Sequence, residues 1–198
     1  MINKLALKTA EKFVSNYNTL YDKIEVYQYG FFVLFSNILF LIITSLIGVI
    51  LNVFLQSIIF YFTFFSVRQF AGGYHASTET KCEIFSTLSI MTCIVVIRLS
   101  KTYDFQTILL IISAISAVCI FVFCPLDTPE KPLSDKEFKY FRKISWIILL
   151  VISTLIIISY IFKWDFVFAP CCMSLVLESI LISAGKIKRL LDNKKTKI

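Results

Sequence analysis

The sequence predicts an all-α, polytopic membrane protein with about six transmembrane helices and an N-terminal amphipathic helix, and three observations carry that prediction. Of 198 residues, 58% are apolar and only 17% charged, against about 45–50% and about 25% in soluble domains. The apolar residues form blocks of roughly 15–20, near the length of about 20 that crosses a bilayer. Five Gly and four Pro exclude a collagen-like or low-complexity chain, and the hydrophobic blocks exclude both disorder and a small disulfide-stapled fold. The chain reads as one integral-membrane domain over 1–198, with an amphipathic segment at 1–29 and a basic tail at 185–198.

The opening segment, MINKLALKTAEKFVSNYNTLYDKIEVYQYG, mixes charged and apolar residues, and no small-residue cleavage site follows a short apolar run, so a removable signal peptide is not expected. Leu5, Phe13, Leu20, Ile24 and Tyr27 recur at spacings compatible with a helical stripe. The predicted amphipathic helix lies either on the membrane surface or against the protein's own cytoplasmic loops. Candidate spans follow at about 30–50, 51–67, 84–100, 107–124, 144–162 and 166–184. Only Gly48, Asn52 and Gln56 interrupt the apolar stretch from Phe31 to Val67. As one helix that stretch would be roughly 55 Å long, almost twice the bilayer core of about 30 Å. A tight hairpin turning near Asn52 resolves the conflict.

Basic residues set the expected orientation. With the N-terminus inside, 17 of the 20 Lys and Arg residues fall on the inner face, and only Arg98, Lys101 and Lys163 fall outside. Both termini are therefore expected to be cytoplasmic in the cell membrane. The net charge of +7 then points to anionic membrane lipid as a partner and not to nucleic acid. The tail KIKRLLDNKKTKI is either such a contact or a solvated topology determinant. Of the six cysteines, Cys93, Cys119, Cys171 and Cys172 lie within apolar runs and Cys124 ends one, where a thiol behaves as a small hydrophobe. With one histidine and no CxxC pair, neither a metal nor another cofactor is expected.

Cys82 differs. It belongs to VRQFAGGYHASTETKCEIFS, residues 67–86, with the sole histidine, His75, and the sole adjacent glycine pair, Gly72 and Gly73. A thiol with a nearby imidazole is the minimum apparatus of nucleophilic thiol catalysis: imidazole takes the proton, thiolate attacks a carbonyl carbon, and imidazolium protonates the leaving amine. On a straight helix the two residues would be about 10.5 Å apart along the axis. The pair thus needs a break between them, for which Gly72-Gly73 and Ser77-Thr78-Glu79-Thr80 are suited, or a substrate held between them. The same residues also fit a merely interfacial histidine and a free cysteine at a loop–helix junction.

The string Arg68-Gln69-Phe70-Ala71-Gly72-Gly73-Tyr74-His75-Ala76, with Cys82 seven residues beyond His75, resembles the signature of the accessory gene regulator protein B (AgrB) family, the membrane cysteine endopeptidases of quorum-sensing systems. The multi-span layout and the Pro- and Lys-containing loop before the last two spans are similar too. The resemblance implies Cys82 as nucleophile and His75 as general base and acid, acting on an AgrD-like precursor peptide. The C-terminal tail of that precursor is released, and the signal segment, held on Cys82 as a thioester, closes into a thiolactone or lactone. It also implies a homodimer. Competing readings are a non-enzymatic peptide-binding or export subunit and a lipid-modifying enzyme.

Supporting residues keep two readings each. Arg68 either holds a substrate carboxylate in a bidentate contact or snorkels at a span end. Gly72 and Gly73 allow a turn or close approach of the peptide. Lys131 and its basic neighbours suit an acidic substrate tail. Asp127 or Glu79 could orient the imidazole. Glu178, an acidic residue inside the last span, is expected either to pair with Arg68 or to reach the interface near Lys186.

Overall fold

Residues 2–15, 24–73, 79–126 and 133–195 are described by a computed structural model; the side chains of 79–81 and 192–195 are not. Seven helices account for the described residues: α1 (Ile2–Ser15), α2 (Ile24–Ile50), α3 (Phe54–Ala71), α4 (Glu79–Leu99), α5 (Gln106–Phe123), α6 (Asp135–Ile161) and α7 (Asp165–Lys195). Five are long and apolar enough to cross a membrane: α2, α4 from Cys82, α5, α6 and α7. The expected sixth span, α3, has 18 residues and is long enough at about 27 Å. It falls outside that set because Gln56, Arg68 and Gln69 dilute its apolar surface. The protein is a multi-pass, all-α membrane protein.

The chain divides into two compact units, Met1–Ile43 and Thr44–Ile198. In the first, α1 is the expected N-terminal amphipathic helix, described over Ile2–Ser15, and α2 begins at Ile24. Ala6, Ala10 and Val14 are the buried residues of α1, while Leu5 and Phe13 are exposed. Small side chains at four-residue spacing allow close packing of a helix. Within this unit Phe13 packs on Tyr27 and Phe31, with ring centroids 5.3 and 6.0 Å apart, and Gln28 donates to Asn3 at 2.9 Å.

In the second unit, the end of α2 and α3 form the predicted hairpin. Asn52 adopts φ +54°, the left-handed conformation that asparagine tolerates better than most residues. Its neighbour Val53 donates to the Gly48 carbonyl at 2.8 Å. Gly48 is needed because a Cβ there would collide with the Ser57 side chain and lie 3.1 Å from the Phe54 Cα.

The core is built around α7, which packs on α3, α4, α5 and α6. Its apolar stretch is 67% buried, against 11–28% for the other four spans. Small polar residues line its seam with α5: Ser179 donates to Ser116 at 3.1 Å, and the Cys119 thiol lies 3.4 Å from the Ser183 hydroxyl. In lipid, where water offers no competition and apolar contact gives no preference for protein over tails, close packing of small residues and such bonds hold helices together. The basic tail is not separate, since α7 runs unbroken through Gly185 to Lys195. At 31 residues, or about 46 Å, the helix outlasts the bilayer core and carries its basic end beyond it.

One boundary lies well before its expected place. The α6 helix starts at Asp135 rather than near 144. Ser134 and Glu137 form a reciprocal cap: the Ser134 hydroxyl accepts from the Glu137 N–H, and the Glu137 carboxylate accepts from the Ser134 N–H at 2.9 Å. The sequence Ser-Asp-Lys-Glu carries the S-x-x-E signature of that cap, and Asp135 and Glu137 favour the positive helix end.

Candidate functional site

The site grows from the way α3 ends. Gly72 and Gly73 have φ +77° and +142°, a conformation that L side chains rarely adopt, so the helix cannot run through them. The carbonyls left over at a helix C-terminus need donors. Arg68 receives the Gly72 N–H at 3.3 Å, and Ala71 receives the Leu126 N–H at 2.9 Å. A parallel bridge between Gly72 and Leu126 continues that contact. The turn after α3 is thereby tied to the segment Cys124–Leu126 that leaves α5.

Arg68 folds back over this turn. Its Nη1 donates to the Gly72 carbonyl at 2.7 Å, a charge-assisted bond and so stronger than a neutral one. The guanidinium occupies the space where a side chain at residue 73 would stand: a Cβ there would overlap Nη1 and lie 2.9 Å from Cζ. A Cβ at Gly72 would lie 2.7 Å from the Leu126 carbonyl oxygen. The glycine pair is thus required twice, once by Leu126 and once by Arg68.

Behind Arg68 lies Glu178 of α7, its Oε1 3.8 Å from Nη1. The Arg68 side chain is 22% exposed and that of Glu178 is 0% exposed, which realises the expected pairing of the two. Neither carboxylate oxygen of Glu178 accepts a hydrogen bond among the described residues. A charge so placed is costly unless a counter-charge offsets it. Cys124, buried at the other edge of the site, adjoins Ser145 and lies within the electrostatic reach of Arg142 and Glu178. Leu126, Cys124 and Ser145 were not singled out by sequence as parts of this region. Leu126 contributes only main-chain atoms, which no side-chain pattern announces.

Cys82 lies in the first turn of α4 and is half-buried, as is Cys119 within α5, whereas Cys93, Cys124, Cys171 and Cys172 are buried. A first helical turn presents N–H groups not used within the helix, a favourable place for a developing oxyanion. Glu79 and Thr80, expected in a non-helical link, already belong to α4. His75, Lys131 and Asp127 lie outside the described residues, as does the Glu79 side chain. Among the described residues no cluster of His, Cys, Asp or Glu could hold a metal ion.

Fold and site together define a class: a multi-pass helical membrane protein whose third helix stops on a diglycine turn clamped by a half-buried arginine that a buried glutamate backs, just ahead of a half-exposed cysteine. The family model described as accessory gene regulator B matches residues 6–182, and the chain belongs to that family. It is 28% identical to an AgrB-like protein of Clostridium perfringens over 172 residues, 83% of this chain and 80% of the relative. It is 26% identical to accessory gene regulator protein B of Staphylococcus intermedius over 155 residues, 78% and 79% of the two chains. The protein of that name from Staphylococcus aureus is 34% identical over 138 residues, 69% of this chain and 70% of the relative. No solved structure matches the chain.

Proposed function

We propose that the protein is a membrane-embedded cysteine endopeptidase that cleaves an AgrD-like precursor peptide at the inner face of the cell membrane and promotes its cyclisation in quorum sensing. The observation that carries this reading is the half-buried position of Cys82 at the start of α4, whereas Cys119, also half-buried, lies deep within the apolar α5 and faces Ser183, and the other four thiols are buried. Family membership supports the same assignment.

In this mechanism His75 takes the Cys82 proton, and the thiolate attacks the carbonyl carbon before the precursor's C-terminal tail. The tetrahedral oxyanion collapses, the tail's amine leaves with the proton from His75, and the signal segment remains as a thioester on Cys82. A thiol or hydroxyl within the peptide then gives its proton to His75, attacks the thioester carbonyl and expels the Cys82 thiolate, closing a thiolactone or lactone and restoring the Cys82–His75 pair. Thioester exchange is nearly balanced in bond energy, so a site that limits water favours ring closure over hydrolysis.

Lys131 and the basic residues of the same loop face the acidic tail, each contributing modestly and less at high salt. Gly72 and Gly73 permit the turn that Leu126 and Arg68 close over. Arg68 serves the site from behind the glycine turn, because its Nη1 already donates to Gly72; a substrate carboxylate reaching it would compete with Glu178. The inward orientation of both termini follows the distribution of basic residues, anionic lipid is the surface on which precursor and enzyme meet, and the enzyme acts as a homodimer.

The test is cleavage of an AgrD-like precursor peptide by protein in lipid vesicles. Wild type is expected to release the tail and a cyclic product, and Cys82→Ala and His75→Ala neither. Equal processing by all three would leave a peptide-binding or export subunit as the function.

A further inference from the structure

Glu178 has no place in the chemistry just described, yet it is a fully buried carboxylate in the most buried helix of the protein. It accepts no hydrogen bond among the described residues, and the cation it meets is the guanidinium that clamps the glycine turn. From this geometry we infer that Glu178 is a positioning residue of the active site, holding Arg68 over Gly72 and Gly73, the turn that precedes His75 by two residues in the sequence. The inference rests on the peptidase reading above.

The chain of contacts is short. Glu178 is set by α7, the helix on which α3, α4, α5 and α6 all pack, so its position is among the most constrained in the second unit. Its charge draws Arg68 away from water and from lipid headgroups, either of which a span-end arginine would otherwise reach by snorkelling. Held there, Nη1 donates to the Gly72 carbonyl, and the guanidinium fills the space beside Gly73. Leu126 fixes the other side of the same turn through the Ala71 carbonyl. A small displacement of a reacting group costs rate far more than binding. Loss of Glu178 is therefore expected to act on turnover and to act through Arg68.

The experiment measures precursor cleavage by reconstituted wild type, Glu178→Gln, Glu178→Asp, Arg68→Gln and the double variant Arg68→Gln/Glu178→Gln, with Cys82→Ala as reference. For Glu178→Gln we expect kcat to fall about tenfold or more with KM within about twofold. Glu178→Asp should recover part of that loss, and the double variant should be no slower than Arg68→Gln alone, as residues acting in one unit are not additive. A Glu178→Gln enzyme with wild-type kcat, a loss confined to KM, or losses that multiply in the double variant would each overturn the inference. If Glu178→Gln does not accumulate in membranes, Arg68→Lys is read instead, because it keeps both charges and removes the planar fork; wild-type kcat there contradicts the proposal. Cleavage by Cys82→Ala would overturn the peptidase reading itself. An inert Cys82→Ala beside a fully active Glu178→Gln would overturn only the role of Glu178.

Discussion

At the scale of single residues, the site is dominated by what the two glycines make room for. Gly73→Ala would force a methyl group into the Arg68 guanidinium, in a backbone conformation that costs a non-glycine residue about 1–3 kcal/mol. Gly30 is the control: nothing lies within 4 Å of a Cβ there, and within a helix alanine is favoured over glycine by roughly 1 kcal/mol. We expect Gly73→Ala to lose precursor cleavage by tenfold or more while still inserting into membranes, and Gly30→Ala to keep its activity with an equal or higher thermal midpoint. Equal activity of the two variants would show that the clamp on the turn is irrelevant to catalysis. Much of this site was legible in the sequence, because an arginine, a glycine pair and a lone intramembrane glutamate each depart from the composition of a lipid-facing helix. The partners that complete it, the Leu126 main chain and the buried Cys124 and Ser145, were not. They resemble any other small or apolar residue until the fold brings them together.

At the scale of elements, the α2–α3 hairpin and the α5–α7 seam show two ways of joining helices in lipid. The hairpin depends on Asn52 in its left-handed conformation, so Asn52→Gly should be neutral, whereas Asn52→Val should cost about 1–2 kcal/mol. Gly48→Val meets Ser57 and should cost about 1–3 kcal/mol by overpacking. Thermal or denaturant unfolding in detergent would rank these variants, and an unchanged midpoint for Gly48→Val would deny the close approach. In the seam, Ser116→Leu should separate α5 from α7, lowering the midpoint more than Ser116→Ala, which loses only the bond from Ser179. The hairpin could be read from sequence because length alone forbids one 37-residue helix. The start of α6 was misplaced by nine residues because hydropathy marks where a helix becomes apolar. Its beginning is marked by the Ser134–Glu137 cap, nine residues outside the apolar run. In α1 the predicted stripe residues Leu5 and Phe13 are exposed, as one of its two readings requires, while the inward face is made by Ala6 and Ala10, which score as weakly apolar and do not stand out in the sequence.

At the scale of the whole molecule, α7 organises the second unit, and the distribution of basic residues predicts an orientation. Seventeen of 20 on one side lead to the expectation that a reporter fused after Ile198 is cytoplasmic and one inserted between Lys101 and Asp104 is external. The reverse pattern would place Cys82 on the wrong face for a precursor made in the cytoplasm. Membrane class and multiple spans were plain from composition, since apolar blocks of this length have no soluble explanation. Which span lies at the centre was not plain: α2, α5 and α6 are more hydrophobic than α7, yet α7 is the most buried. In lipid, burial follows small and polar residues rather than hydropathy, and α7 carries Ser174, Glu178, Ser179 and Ser183.

The most direct test of Cys82 as the nucleophile is the intact mass of the reconstituted protein trapped during reaction with its precursor. We predict an adduct with the mass of the tail-less peptide, removed by hydroxylamine as a thioester is, present on wild type and absent from Cys82→Ala. Release of the tail by wild type with no such adduct, or an equal adduct on Cys82→Ala, would contradict it.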